Sequence, residues 1–113
     1  TGGYDHSFLL RHPGDMRNPA AILYDSQSGR TLTVYTTEPA IHVYTGNGLK
    51  GNQTGKNGIT YPRRSAICLE TMHLADSPNK PQFPSTLLRP GEKFHSKTVF
   101  LFTTDPPVIM KTP

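Results

Sequence analysis

The chain has 113 residues, 34% of them hydrophobic, and carries twelve Lys and Arg against eight Asp and Glu, a net charge of +4. That length suits one domain, and so modest an apolar share together with ten Gly and eleven Pro favours a turn-rich β protein over a helical one. Despite a pI near 9.4, the positive charges are scattered in runs no longer than Arg63-Arg64, which argues against a nucleic-acid partner.

Gly2-Gly3 opens a turn into a strand over residues 5–10, with Asp5 at its mouth, and His12-Pro13-Gly14-Asp15 breaks it. Residues 20–24 and 31–37 read as two strands joined by the five-residue hairpin loop Asp25-Ser26-Gln27-Ser28-Gly29. In the second of these, Leu32, Val34 and Thr36 share one face and Thr33, Tyr35 and Thr37 the other. Pro39 forces a break, and residues 41–45 resume as a strand with His42 and Tyr44 on one side and Ile41 and Val43 on the other. Residues 46–58 hold five glycines and three asparagines, a long loop expected to be mobile. It lacks the Gly-Lys-Ser/Thr ending of a phosphate-binding P-loop.

Tyr61-Pro62 leads into Ile67-Cys68-Leu69-Glu70, where alternation sets Ile67 and Leu69 on one face and Ala66, Cys68 and Glu70 on the other. Read alone, Glu70 is a solvated charge at a strand end. Its small neighbours nevertheless leave room for something to sit against it. A proline-punctuated loop follows over residues 76–85, then a turn at Pro90-Gly91-Glu92. Thr98-Val99-Phe100-Leu101-Phe102 is the most hydrophobic strand, Pro106-Pro107 ends it, and residues 108–113 read as a tail.

Six strands and no helix make the expected class all-β and antiparallel. Six strands with so few apolar residues leave edges unpaired, so the chain reads as part of a larger sheet. Cys68 is the only cysteine. It reads as a small buried hydrophobe rather than a nucleophile, and no internal disulfide is possible, which fits a reducing compartment. No apolar stretch is long enough for a membrane helix, and no membrane partner is expected. Thr1 in place of an initiator methionine reads as a processed chain or a fragment.

Four blocks together resemble the aldose 1-epimerase (galactose mutarotase) family. They are Gly3-Tyr4-Asp5-His6 with Phe8; Ser28-Gly29-Arg30 through Thr36-Thr37-Glu38-Pro39; Tyr44-Thr45-Gly46-Asn47 with Lys56-Asn57-Gly58; and Cys68-Leu69-Glu70-Thr71 with Asp76-Ser77-Pro78-Asn79 and Phe83-Pro84-Ser85. Leu88-Arg89-Pro90-Gly91-Glu92 continues the match. Their order and spacing cover nearly the whole chain and resemble the C-terminal third of a family member. The resemblance implies that residues 1–113 are the C-terminal portion of one large antiparallel β-sandwich, its upstream part lying outside this sequence. It also implies a cytoplasmic enzyme with no metal or organic cofactor.

The implied reaction interconverts the α and β anomers of free hexoses such as galactose and glucose. A base takes the proton of the C1 hydroxyl while an acid protonates the ring oxygen, and the two exchange roles after rotation about C1–C2. By motif, Glu70 matches the family's base and Asp5 the aspartate that bonds sugar hydroxyls. His42 stands where many relatives contact the sugar with glutamine, and is expected to keep a hydroxyl bond or alter sugar preference. The family's acid histidine, a second histidine and a sugar-binding arginine belong to upstream segments. His6, His12, His73 and His95 are not motif matches for that acid, and His6 is expected to pack or cap on the face opposite Asp5. The expected partners are therefore a monosaccharide and a complementary N-terminal chain of the same enzyme. Two other readings stay open. One is a carbohydrate-binding module, or an inactive fragment, that uses the same sheet without catalysis. The other is an activity on hexose 6-phosphates, for which Arg63-Arg64 is the only candidate phosphate contact.

Overall fold

The computed structural model describes residues 2–104. The Pro106-Pro107 break and the tail over residues 108–113 lie outside the described residues. Six strands follow in chain order: β1 (Asp5–Leu9), β2 (Ala21–Tyr24), β3 (Thr31–Thr36), β4 (Ala40–Tyr44), β5 (Cys68–Met72) and β6 (Thr98–Thr103). Two short 3₁₀ turns, Lys56–Gly58 and Ser77–Asn79, are the only helical elements among the described residues. The all-β antiparallel class expected from sequence is what the chain adopts, each strand bound lying within two residues of its expected position.

The strands form two three-stranded antiparallel sheets, ordered β1-β4-β5 and β2-β3-β6. β3 reads Thr-Leu-Thr-Val-Tyr-Thr, β-branched and aromatic residues that suit a pleated, half-buried surface. The hairpin before it closes through the Asp25 N–H donating to the Arg30 carbonyl at 2.9 Å, with Gly29 at φ +71° making the left-handed step. The Ser28 hydroxyl donates to the Asp25 carboxylate at 2.5 Å. That bond, with the Gln27 and Ser28 amides, holds the carboxyl below its ordinary value.

Register assigns the faces. Phe8, Ile41 and Thr71 align across the first sheet, as do His6, Val43 and Leu69 on the same side. In the second sheet Ala21, Val34 and Phe100 align, with Leu23, Leu32 and Phe102 beside them. These two faces turn toward each other. Phe8, Ile41 and Val43 of one sheet and Ala21 and Thr36 of the other line a shared cavity of about 310 Å³. A chain of hydroxyls also ties the sheets, Thr98 Oγ1 lying 3.0 Å from that of Thr36 and 2.7 Å from that of Thr71.

The core so enclosed is small. Among the described residues only Val34, Ala40 and Ile41 are fully buried apolar side chains. Phe8, Leu9, Val99, Phe100, Leu101 and Phe102 are all exposed, Phe102 at 74%. β6 presents apolar residues on both of its faces, the pattern of a strand covered on two sides.

Two local expectations need correction. The glycine-rich loop read as mobile is folded back on itself: the Gly51 N–H donates to the Tyr61 carbonyl at 3.0 Å, that of Tyr61 to Gln53 at 3.1 Å and that of Gly55 to Ile59 at 2.8 Å. Glycine content marks positive-φ positions, here Gly46, Gly51 and Gly58, and says nothing about whether the backbone finds partners. Glu70 is not at a strand end either, being the third of five residues in β5.

Candidate functional site

The first sheet carries a polar face on the side away from the second sheet. Ser7, His42 and Glu70 are direct cross-strand partners in one row across β1, β4 and β5, and Asp5, Tyr44 and Cys68 form the neighbouring row. Alternation puts all six side chains on the same side. β4 is the central strand, so His42 stands between the residues contributed by β1 and by β5. Strand spacing sets Asp5 and Glu70 roughly 10 Å apart laterally, with β4 and His42 between them. The structure therefore brings Asp5, His42 and Glu70 onto one exposed surface from positions up to 65 residues apart in sequence.

Asp5 and His42 are bonded to each other, with Nε2 of His42 2.9 Å from Oδ1 of Asp5. The other ring nitrogen, Nδ1, lies 2.8 Å from the Ser7 hydroxyl. Tyr44 points its hydroxyl at the loop after β4, accepting the Gly48 N–H at 2.7 Å, which fixes the start of the glycine-rich excursion beside the site. Cys68 is half-buried on this polar face, rather than buried in the core. Glu70 is exposed, and among the described residues its carboxylate makes no hydrogen bond or ion pair. A carboxylate held on a central part of a strand and not engaged by a neighbour is free to accept a proton from a ligand.

The remaining histidines lie elsewhere. His6 faces the other side of the sheet, opposite Val43; its Nδ1 accepts the Asp5 N–H at 3.0 Å and its ring meets Tyr4 edge-on. It packs and caps, as its position in the strand implied. His12 and His95 are exposed in loops. His73 follows β5 and its Nδ1 lies 2.7 Å from Oε2 of Glu38, a residue only 7% exposed whose N–H donates to the Thr36 hydroxyl. This pair clamps the β3–β4 connection to the end of β5. Replacing His73 with Ala leaves a buried carboxylate without its donor, which is expected to cost about 1–3 kcal/mol. A drop in the urea midpoint of the full polypeptide, at unchanged m-value, measures it.

Ser7 is the member of this face that sequence reading passed over. Its signal was available: two residues after Asp5 on the same strand, it must share Asp5's side. Arg63 and Arg64 lie by the chain's start, both side chains near Gly2, and Arg64 is in the wall of a cavity with Tyr4, Ala66 and Ile67.

The aldose 1-epimerase family model matches residues 1–101. Galactose mutarotase of Mus musculus is 48% identical over 101 residues, and that of Homo sapiens 46%, each match covering 89% of this chain and 29% of the relative. Aldose 1-epimerase of Escherichia coli is 39% identical over 105 residues, covering 91% and 30%. The crystal structure of an aldose epimerase homologue from C. elegans superimposes with a TM-score of 0.79 at 26% identity, over 89% of this chain and 30% of that one. The chain thus spans less than a third of the length of these relatives.

Proposed function

The chain belongs to the aldose 1-epimerase family, and from that premise we propose that residues 1–113 are the C-terminal segment of one mutarotase-like β-sandwich that interconverts the α and β anomers of free hexoses such as galactose and glucose. The observation that carries the proposal is the register of the first sheet, which sets Glu70, His42 and Asp5 on one exposed face.

In this reading the hexose lies across β4. Glu70 takes the proton from the C1 hydroxyl as the bond from C1 to the ring oxygen breaks and the open-chain aldehyde forms. The ring oxygen receives a proton from an acid that this chain does not itself supply, since no other described histidine reaches the polar face. Rotation about C1–C2 presents the other face of the carbonyl. On re-closure the hydroxyl attacks C1 and gives its proton back to the conjugate base of that acid, while Glu70 returns its proton to the carbonyl oxygen, giving the opposite anomer. Asp5 and His42 bond ring hydroxyls and hold C1 toward Glu70, which is the positional part of the catalysis. The acid comes from the upstream part of the sandwich, whether continuous with this chain or on a complementary chain.

Polarimetry on freshly dissolved α-D-galactose and α-D-glucose tests the proposal. The full polypeptide should hasten the drift to the equilibrium rotation well beyond the buffer rate, and a drift equal to buffer for both sugars refutes it. A second reading, sugar binding without turnover by this chain alone, is favoured by the absence of a second histidine from the described polar face. It would appear as saturable hexose binding by calorimetry with no change in the drift.

A further inference from the structure

The Ser7–His42–Asp5 chain has only one proton arrangement that satisfies every member when the imidazole is neutral. A neutral imidazole has a single N–H, and an ionised carboxylate only accepts. The 2.9 Å contact of Nε2 with Asp5 therefore needs the proton on Nε2. Nδ1 is left as an acceptor, and the hydroxyl of Ser7 at 2.8 Å is the donor that meets it. Ser7 is half-buried on β1 directly opposite His42, so its approach is set by the ladder and not by a mobile loop.

We infer that Ser7 is a positioning residue: with the Asp5 carboxylate setting the Nε2–H tautomer, the Ser7 hydroxyl donates to Nδ1 and locks the ring orientation that keeps Nε2–H on Oδ1, which fixes the Asp5 carboxylate for a ligand hydroxyl. Only Oδ1 of Asp5 takes part in this chain. The second oxygen makes no hydrogen bond among the described residues, and the Asp5 side chain is more than half exposed. Without the Ser7 hydroxyl, Asp5 still favours the proton on Nε2, but the ring loses its hydrogen bond on the Nδ1 side and is free to rotate away from Oδ1. The ring also has Glu70 on its other flank, and a ring released by Ser7 is free to bond that carboxylate instead.

The orientation lock stands on geometry alone, whereas its consequence for the sugar rests on the mutarotase reading. The experiment separates them. In the full polypeptide labelled with ¹⁵N-histidine, long-range nitrogen–proton spectra above neutral pH should show His42 with a protonated Nε2 and a bare Nδ1. Ser7→Ala should move the Nδ1 resonance, which loses its donor, while Nε2 keeps its proton, and Ser7→Thr, which keeps the hydroxyl, should restore it. In mutarotase kinetics Ser7→Ala should raise KM about 2- to 10-fold, the worth of one hydrogen bond, with kcat changed less than 2-fold, and Ser7→Thr should recover most of the loss. Nitrogen shifts in Ser7→Ala identical to the parent's overturn the lock. An Nδ1 resonance that responds to Ser7→Ala with KM unchanged overturns the positioning role. If the parent converts no hexose while its spectra respond as described, the lock stands and the mutarotase reading falls.

Discussion

Glu70→Gln in the full polypeptide is expected to slow anomer interconversion by about 10²–10⁴-fold, the usual contribution of a positioned proton-transfer group. Glutamine matches the size of glutamate but cannot take a proton from the C1 hydroxyl. The loss should fall on kcat, with KM moving only a few-fold, because an amide still accepts a hydrogen bond. Folding should be indifferent to the change: the Glu70 side chain is exposed and engages no described neighbour, so stability should stay within about 0.5 kcal/mol. That contrast makes the test sharp. A variant that folds like the parent and keeps more than half its polarimetric rate removes Glu70 from the reaction.

The faces of the strands were legible because side-chain alternation has a period of two and nothing else. It set His42 with Tyr44, Cys68 with Glu70, and His6 opposite Asp5, and the register repeats each assignment. Which strand lies beside which was not legible. β1 and β4 are joined across more than thirty residues, and no local pattern encodes that β4 sits centrally between β1 and β5. The Glu38–His73 clamp was hidden for the same reason, its partners being 35 residues apart. The glycine-rich loop misled in another way. Its composition predicts positive φ, which it has, but its cross-loop hydrogen bonds depend on where Gln53 and Tyr61 meet.

The polar face also explains why so exposed a site can be orderly. Asp5 is more than half exposed at its side chain, and an exposed hydrogen bond of this kind contributes only modestly to stability. Its value lies in orientation, since each partner's rotamer is set by a ladder position. β4 supplies the middle of the face while its other side supplies Ile41 to the core, so burial of one side of the strand steadies the chemistry on the other.

Alone, the 113-residue chain is expected to give no measurable acceleration of mutarotation and to bind a hydrophobic dye such as ANS. Mixed with a chain carrying the upstream part of the sandwich, it should lose the dye signal and gain activity. The reason is the distribution of apolar surface. Among the described residues, three buried apolar side chains are a small core for a chain of this length, and the exposed apolar residues include the consecutive run Val99, Phe100, Leu101 and Phe102 of β6. β6 is also an edge strand of its sheet, with backbone groups open to a further strand. Fully covering each of these side chains is worth about 1.5–3 kcal/mol, against an association cost of several to more than ten kcal/mol. The two are of similar size, so affinity will turn on how well the edge pairs and not on area alone. A practical partner is mouse galactose mutarotase truncated to remove the 29% that this chain matches. With the partner at a hundred times its dissociation constant, linkage should stabilise the chain by about 2.7 kcal/mol, visible as a concentration-dependent rise in the thermal midpoint. The Phe102→Asp variant, altered at the most exposed of these positions and away from the polar face, should weaken that rise while leaving the Ser7–His42–Asp5 chain intact. If the isolated chain instead unfolds cooperatively, binds no dye and ignores the added partner, the exposed strand is a finished surface and the upstream part is not needed to complete it.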